Sequence, residues 1–285
     1  MHGPDAEPSM VNIVEGGRRW YDDLPIVQAR KDDADDRVGA AVTRRLLGVD
    51  ITACAGDAAI KMLTLRLANR VKTKVAFANT NLLVQTRKLA DGADLLKGFV
   101  VFNDGVGVDL GSWFKYGSLF PENLNGTDLA AKLMGGVPQG TRVFLLGARP
   151  SVVSRAAAEI ERRFSVAVCG FADGYAFDDE ALVAQVNALA PDIVLVAMGN
   201  PKQEMWIRDN AGRLAAPLLI GVGAWFDFLT RERRRAPRLV RRARFEWMFR
   251  LIQEPRRLWR RYSIDALFFL LLVLDEKYGF RRERA

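Results

Sequence analysis

Short apolar runs recur along this chain with room for one helix between most neighbours, and that alternation limits the possible folds more than any other feature. The runs cover 47–51, 75–78, 99–102, 143–146, 166–169, 193–198 and 218–222, with helix-periodic stretches such as 58–70 and 151–164 between them. Strands that alternate with helices pair in parallel, because a parallel crossover needs a helix-length connection. Such a sheet is covered on both faces. The expected class is therefore α/β, with a Rossmann-like, mostly parallel sheet and helices on both faces. In sheets of this kind ligands sit at the carboxyl ends of the strands, so the chemistry is expected in the loops after the runs.

Three of those loops stand out: Asn103-Asp104-Gly105 after 99–102, Gly199-Asn200-Pro201-Lys202-Gln203-Glu204 after 193–198, and Gly223-Ala224-Trp225-Phe226-Asp227 after 218–222. One such loop is an ordinary turn, since Asn, Asp, Gly and Pro are favoured there. Three at successive strand ends point to a site. Known nucleotide loops do not account for them. The chain has no Gly-x-x-x-x-Gly-Lys-Ser/Thr, and neither Gly105-Val106-Gly107 nor Gly221-Val222-Gly223 carries the third glycine of a dinucleotide fingerprint. The strand, Gly147 and helix unit over 143–164 offers backbone N–H groups to an anion or is a plain turn.

Composition narrows the chemistry. The only histidine is His2, which argues against catalytic triads, Cys-His dyads and most zinc sites. The expected base is a carboxylate, and no cofactor is expected. Cys54 and Cys169 have neither metal-ligand nor redox spacing and read as reduced, buried thiols. Residues 1–38 read as a variable, partly disordered extension. Asp33 and Asp35 spell Asp-x-Asp within it, but no apolar run leads into them and a solvated acidic run is the commoner origin. The start lacks a basic and apolar leader, so a cytoplasmic location is expected.

The net charge of +8 is concentrated. Residues 231–262 hold thirteen Arg and three Glu, a local +10 that leaves the remainder near neutral. Leu, Phe, Trp and Met interleave with these arginines, as in a helix lying at a membrane surface. Nucleic acid is the rival partner and loses, because no basic channel continues over the body and no nucleic-acid motif appears. The apolar run 266–274 spans roughly 14 Å as a helix, too short to cross a bilayer. It reads either as a core helix or as a shallow insertion, and the adjacent arginines favour insertion. The organisation expected is a catalytic domain over 39–235 and a basic, helical, membrane-binding appendage over 236–285, peripheral on the inner face of the plasma membrane.

Taken together, several segments resemble the WecG/TagA/CpsF family of bacterial glycosyltransferases. They are Asn79 with Arg87, Asn103-Asp104-Gly105, Gly126-Thr127-Asp128-Leu129, Asp173-Gly174-Tyr175, the 199–204 loop, the 221–227 loop, Arg235-Ala236-Pro237, Phe245-Glu246-Trp247 and 250–257. The resemblance implies an inverting, metal-independent transferase. The donor would be a UDP-sugar of the N-acetylmannosamine, uronic acid or glucose type. The acceptor would be an undecaprenyl-diphosphate-linked saccharide in exopolysaccharide or cell-envelope synthesis.

By residues alone Asp104 is equally a turn aspartate and a base; the resemblance makes it the base. It also implies donor contacts from Asn79, Asn103, Gly105, Gly126, Asp128, Gly199, Pro201, Lys202, Gln203, Glu204 and Asp227. In place of a metal, arginines would hold the diphosphate, with Arg234, Arg235 and Arg238 nearest in sequence to the Asp227 loop and equally placed for lipid. The sequence departs from the family at Phe77, where Thr is common, at Asn123, where Arg is common, and at Arg231, where Gly is common. These departures leave room for a non-catalytic, membrane-associated scaffold of the same fold. A dinucleotide oxidoreductase would rest on the sheet alone, and a homo-oligomer remains open.

Overall fold

The computed structural model describes residues 42–89, 92–175, 178–233, 236, 246–253, 255–256, 259 and 263–279. The 1–38 extension, with His2, Asp33 and Asp35, lies outside the described residues, as do Arg234, Arg235 and Arg238.

Eight strands form one sheet: β1 (Val42–Leu46), β2 (Val49–Ala53), β3 (Thr73–Ala78), β4 (Phe99–Asn103), β5 (Arg142–Gly147), β6 (Ala167–Ala172), β7 (Ile193–Ala197) and β8 (Leu218–Gly221). Their order across the sheet is β1-β2-β4-β3-β8-β7-β5-β6, and every neighbouring pair is parallel except β1 with β2. The expected single strand over 47–51 is corrected here. Leu47 and Gly48 have φ of +50° and +84° and make a two-residue turn, pairing Leu46 with Val49. Strand β1, with Arg45 exposed, closes that edge as an antiparallel hairpin.

Period-two alternation sorts side chains to the two faces. Val143 and Leu145 of β5, with Ile193 and Leu195 of β7, join the core beneath α1 (Gly56–Ala68), α5 (Gly126–Gly136), α6 (Pro150–Arg163) and α9 (Trp225–Leu229). Phe144, Leu146, Val194 and Val196 point the other way, towards α7 (Asp179–Leu189) and α8 (Lys202–Asn210). On that same side α2 (Thr80–Lys88), α3 (Gly92–Leu95) and α4 (Val106–Tyr116) cover β2, β3 and β4. Both faces are thus covered, as a parallel sheet requires.

Two further helices follow, α10 (Glu246–Gln253) and α11 (Ile264–Tyr278). The apolar run 266–274 forms most of α11, and one face of it does pack on the body. Phe269, Leu272 and Val273 are buried among residues of α2 and α4. Gly111 of α4 makes room for this, because a Cβ there would lie 2.8 Å from the Phe269 ring. Polar ties fasten the helix: Glu276 pairs with Lys115 at 3.1 Å and accepts the Leu47 N–H at 2.9 Å. The opposite face, Ile264, Leu267, Phe268 and Leu271, is exposed. The run therefore serves as a core helix on one side and presents apolar surface on the other. No described helix is long and apolar enough to cross a membrane.

Candidate active site

A cleft of about 1420 Å³ opens along the carboxyl ends of the parallel strands. The chain leaves β5 for the edge strand β6 and returns to β7 on the other side of β5, so the connections reverse between β5 and β7. A crevice opens where strand order reverses in this way. Backbone contact is close there, since a Cβ on Gly147 would meet the Ala197 carbonyl.

On the β3–β4 side, Asp104 and Gly105 line the cleft. Asp104 is half-buried, and its N–H donates to Ala78 O at 2.8 Å, which joins the ends of β3 and β4. Gly105 has φ +92° and ψ +158°, a conformation essentially restricted to glycine. Its N–H donates to Asn123 Oδ1 at 2.8 Å. Asn123 thus holds the loop next to Asp104. Asn103 is fully buried behind the wall; its Nδ2 donates to Glu122 O at 2.9 Å and its carbonyl accepts the Leu124 N–H. It braces the 121–125 segment rather than facing the cleft.

Helix starts supply more of this wall. Asn79 lines the cleft and caps α2, its Oδ1 accepting the Leu82 N–H at 3.0 Å. Asn125 caps α5 through the Asp128 N–H, and its own Nδ2 donates to Asp128 Oδ2, both at 2.9 Å. Gly126 is glycine for want of space: a Cβ would lie 2.9 Å from the ring of Phe77. That ring is buried against Phe102, centroids 6.0 Å apart, and gives this wall an apolar patch.

On the β5–β7–β8 side, Gly199, Gln203 and Asp227 line the cleft. Pro201 and Glu204 lie outside the lining, and Lys202 is exposed and outside it too. Among the described residues, the cations that line the cleft are Lys132, Arg149 and Arg233. Arg149 donates to Glu232 Oε2 at 3.0 Å, and Arg155 binds the other oxygen of that carboxylate. These two arginines, Arg155 first, hold the Glu232 carboxyl below its usual range. Arg233 pairs with Asp227 at 3.9 Å. Arg231, exposed with φ +60°, stands outside the lining, in a backbone conformation that favours glycine.

Arg149 escaped the sequence reading although the strand-end rule applies to it as to Asp104; only Gly147 marked its loop. Tyr175, exposed on the rim, was quoted but given no role. Neither cysteine takes part: both are free, Cys169 is buried, and Cys54 is only half-buried. Burial pushes the Cys169 thiol up to about 11. Among the described residues no three His, Cys, Asp or Glu side chains cluster so as to hold a metal ion.

One flank of the cleft differs from the rest. Leu110 of α4, Trp247 of α10, and Ala266 and Leu270 of α11 line it with apolar surface. A cleft at strand ends, with polar groups along its walls and apolar surface on one flank, suits a substrate that is part polar and part hydrocarbon.

A family model described as "Glycosyl transferase WecG/TagA/CpsF family" matches residues 44–283. The chain belongs to that glycosyltransferase family. The matched span takes in both C-terminal helices along with the sheet, so the apolar flank lies within it. As a WecG/TagA/CpsF member, the protein has sugar donor and acceptor substrates, in the setting of cell-envelope polysaccharide synthesis.

Proposed function

We propose that this protein is an inverting, metal-independent glycosyltransferase. It moves a sugar of the N-acetylmannosamine, uronic acid or glucose type from a UDP donor to a polyprenyl-diphosphate-linked acceptor. It works at the inner face of the plasma membrane, in exopolysaccharide or cell-envelope synthesis. The observation that carries this reading is Asp104: a carboxylate on the cleft wall, held from both sides by Ala78 O and by the Asn123–Gly105 bond.

Asp104 takes the proton of the acceptor hydroxyl as its oxygen forms a bond to the anomeric carbon. The bond from that carbon to the phosphate oxygen breaks on the opposite face, and UDP leaves with the electron pair. The charge that develops on the diphosphate requires cations. Arg149 and Arg233 stand on the wall for this, the first paired with Glu232 and the second with Asp227. Arg234, Arg235 and Arg238, nearest in sequence to the Asp227 loop, would add to them.

The exposed apolar face of α11, with Leu110 and Trp113 exposed on the adjoining α4, supports the membrane reading. Amphipathic surface beside basic segments binds anionic interfaces. The test is transfer from a panel of UDP-sugars to a polyprenyl-diphosphate-linked saccharide by the purified full chain. Asp104→Asn is expected to bind UDP and lose turnover; full turnover in that variant overturns the assignment.

Truncation at residue 235 is a poor test of membrane docking, because it also removes Phe269, Leu272 and Val273 from the core. Leu267→Ser combined with Phe268→Ser and Leu271→Ser is the cleaner variant. It is expected to weaken binding to anionic vesicles with the fold intact, and unchanged vesicle binding counts against this face.

A further inference from the structure

Two consecutive residues at the start of α8 are almost sealed from solvent: Gln203 is 2% exposed and Glu204 0%. The Gln203 amide uses both ends. Its Oε1 accepts the Gly199 N–H at 3.2 Å, from the loop after β7, and the Gly223 N–H at 3.1 Å, from the loop after β8. Its Nε2 donates to Asn200 Oδ1 at 3.1 Å and to Glu204 Oε1 at 2.8 Å. A carboxamide has two acceptor positions and two N–H groups, so all four are taken. Gly221 lets the side chain pass, since a Cβ there would lie 2.7 Å from Nε2. Gln203 is therefore a clamp between the loops after β7 and β8, and both loops line the cleft.

The clamp works in one orientation only. Two backbone N–H donors require the carbonyl end, which sends the NH2 end towards Asn200 and Glu204. A reversed amide would face donors with donors and lose the bridge. We propose that Glu204 is a positioning residue: by accepting from Gln203 it fixes the amide, and through the amide the spacing of the two loops at the donor end of the cleft. The donor in that statement rests on the proposed function; the clamp does not.

Glu204 is also made sensitive to its proton. Its second oxygen, Oε2, is buried and has no partner among the described residues. Burial pushes the carboxyl up to about 7, with the Gln203 bond opposing the rise. Among the elements packed against α8, β7 and β8 bring no charge, β3 brings Lys74, α3 brings Asp94, and α7 brings Asp179, which accepts from Trp206 Nε1 at 2.7 Å, and Glu180, which pairs with Arg213. Lys74 donates to Lys97 O and lies over the Phe99 ring, and Asp94 pairs with Lys97. On α8 itself Lys202 is exposed and Arg208 pairs with Asp209. None of these charges compensates an ionised Glu204. The protonated acid is cheap to bury; the carboxylate favours an open clamp that lets water reach it.

The test follows hydrogen exchange at the Gly199 and Gly223 amides by NMR, corrected for intrinsic rates, from about pH 5 to pH 7.5. In the wild type protection is expected to fall by at least about tenfold over that range, in step with Glu204 ionisation. In Glu204→Gln, which still accepts from Gln203 but never ionises, protection is expected to stay flat. A wild-type profile without this fall, or the same fall in Glu204→Gln, overturns the proposal. UDP binding by calorimetry is the second readout: Glu204→Leu is expected to weaken it by about tenfold, and Glu204→Gln to stay within about twofold of wild type. Equal weakening by both substitutions also overturns the proposal. Absence of UDP binding at every pH, with the amide profiles as expected, would sustain the clamp and overturn the donor reading instead.

Discussion

The loops after β4 and β7 begin alike: a buried apolar strand, then a turn built of Asn and Gly that carries a carboxylate. They end in opposite conditions. Asp104 stays on the cleft wall, because the next helix, α4, starts at Gly105 and turns the chain back behind it. Glu204 is carried inward by α8, which packs on β3, β7 and β8. A carboxylate open to the cleft can exchange a proton with a bound hydroxyl. One sealed behind a glutamine can only hold its neighbour in place. The direction taken by the next helix, and not the residue type, decides the role.

Four measurements sharpen or break this contrast. The largest effect is expected from Asp104→Asn, with turnover falling ~10²–10⁴-fold while UDP binding stays near wild type; a drop in UDP affinity alone would make Asp104 a binding group. Next comes the pH dependence of stability. Glu204 has its folded value raised to about 7 from 4.5, so its contribution is full below pH 4.5, is lost as pH rises towards 7, and is level above. The loss is about 3 kcal/mol. Denaturant unfolding of wild type against Glu204→Gln should diverge over that window, and parallel curves would mean that Glu204 reaches water.

Removing the brace on the open loop is expected to cost less. Asn123→Ala deletes the Gly105 bond and should destabilise the protein by ~1 kcal/mol, with turnover falling more than UDP affinity. Gly199→Ala should cost ~1 kcal/mol of stability through its positive φ alone, as its added Cβ meets nothing within 4 Å. A much larger loss there would mean that the Gln203 clamp had broken as well.

The strand-end rule made much of the cleft legible in the sequence: Asp104, Gly105, Gly199, Gln203 and Asp227 all reach its lining, as does Asn79, which the family resemblance supplied. The sheet was legible for the same reason, with boundaries shifted by a few residues, as at β6, which runs on to Ala172. The β1–β2 hairpin was not, because Leu46, Leu47 and Val49 read as one apolar run and Leu47-Gly48 lacks the usual Asn-Gly or Asp-Gly turn signal. Neither was the division between Gln203 and Glu204. Their burial depends on Gly221 and Gly223, which are remote in sequence. Helix α11 was ambiguous because apolar residues occupy both its faces, which blunts the periodicity that separates inside from outside.

Synthesis proceeds from the N-terminus, and α11 is the last helix described. Its Phe269 fills the notch left by Gly111, more than 150 positions earlier. Until residues 264–278 leave the ribosome, the nascent chain carries an open apolar surface along α2 and α4 and a cleft that lacks one flank. Completion of the cleft therefore waits on residues that follow the last strand, β8, and its apolar flank is the last part of the described wall to be made.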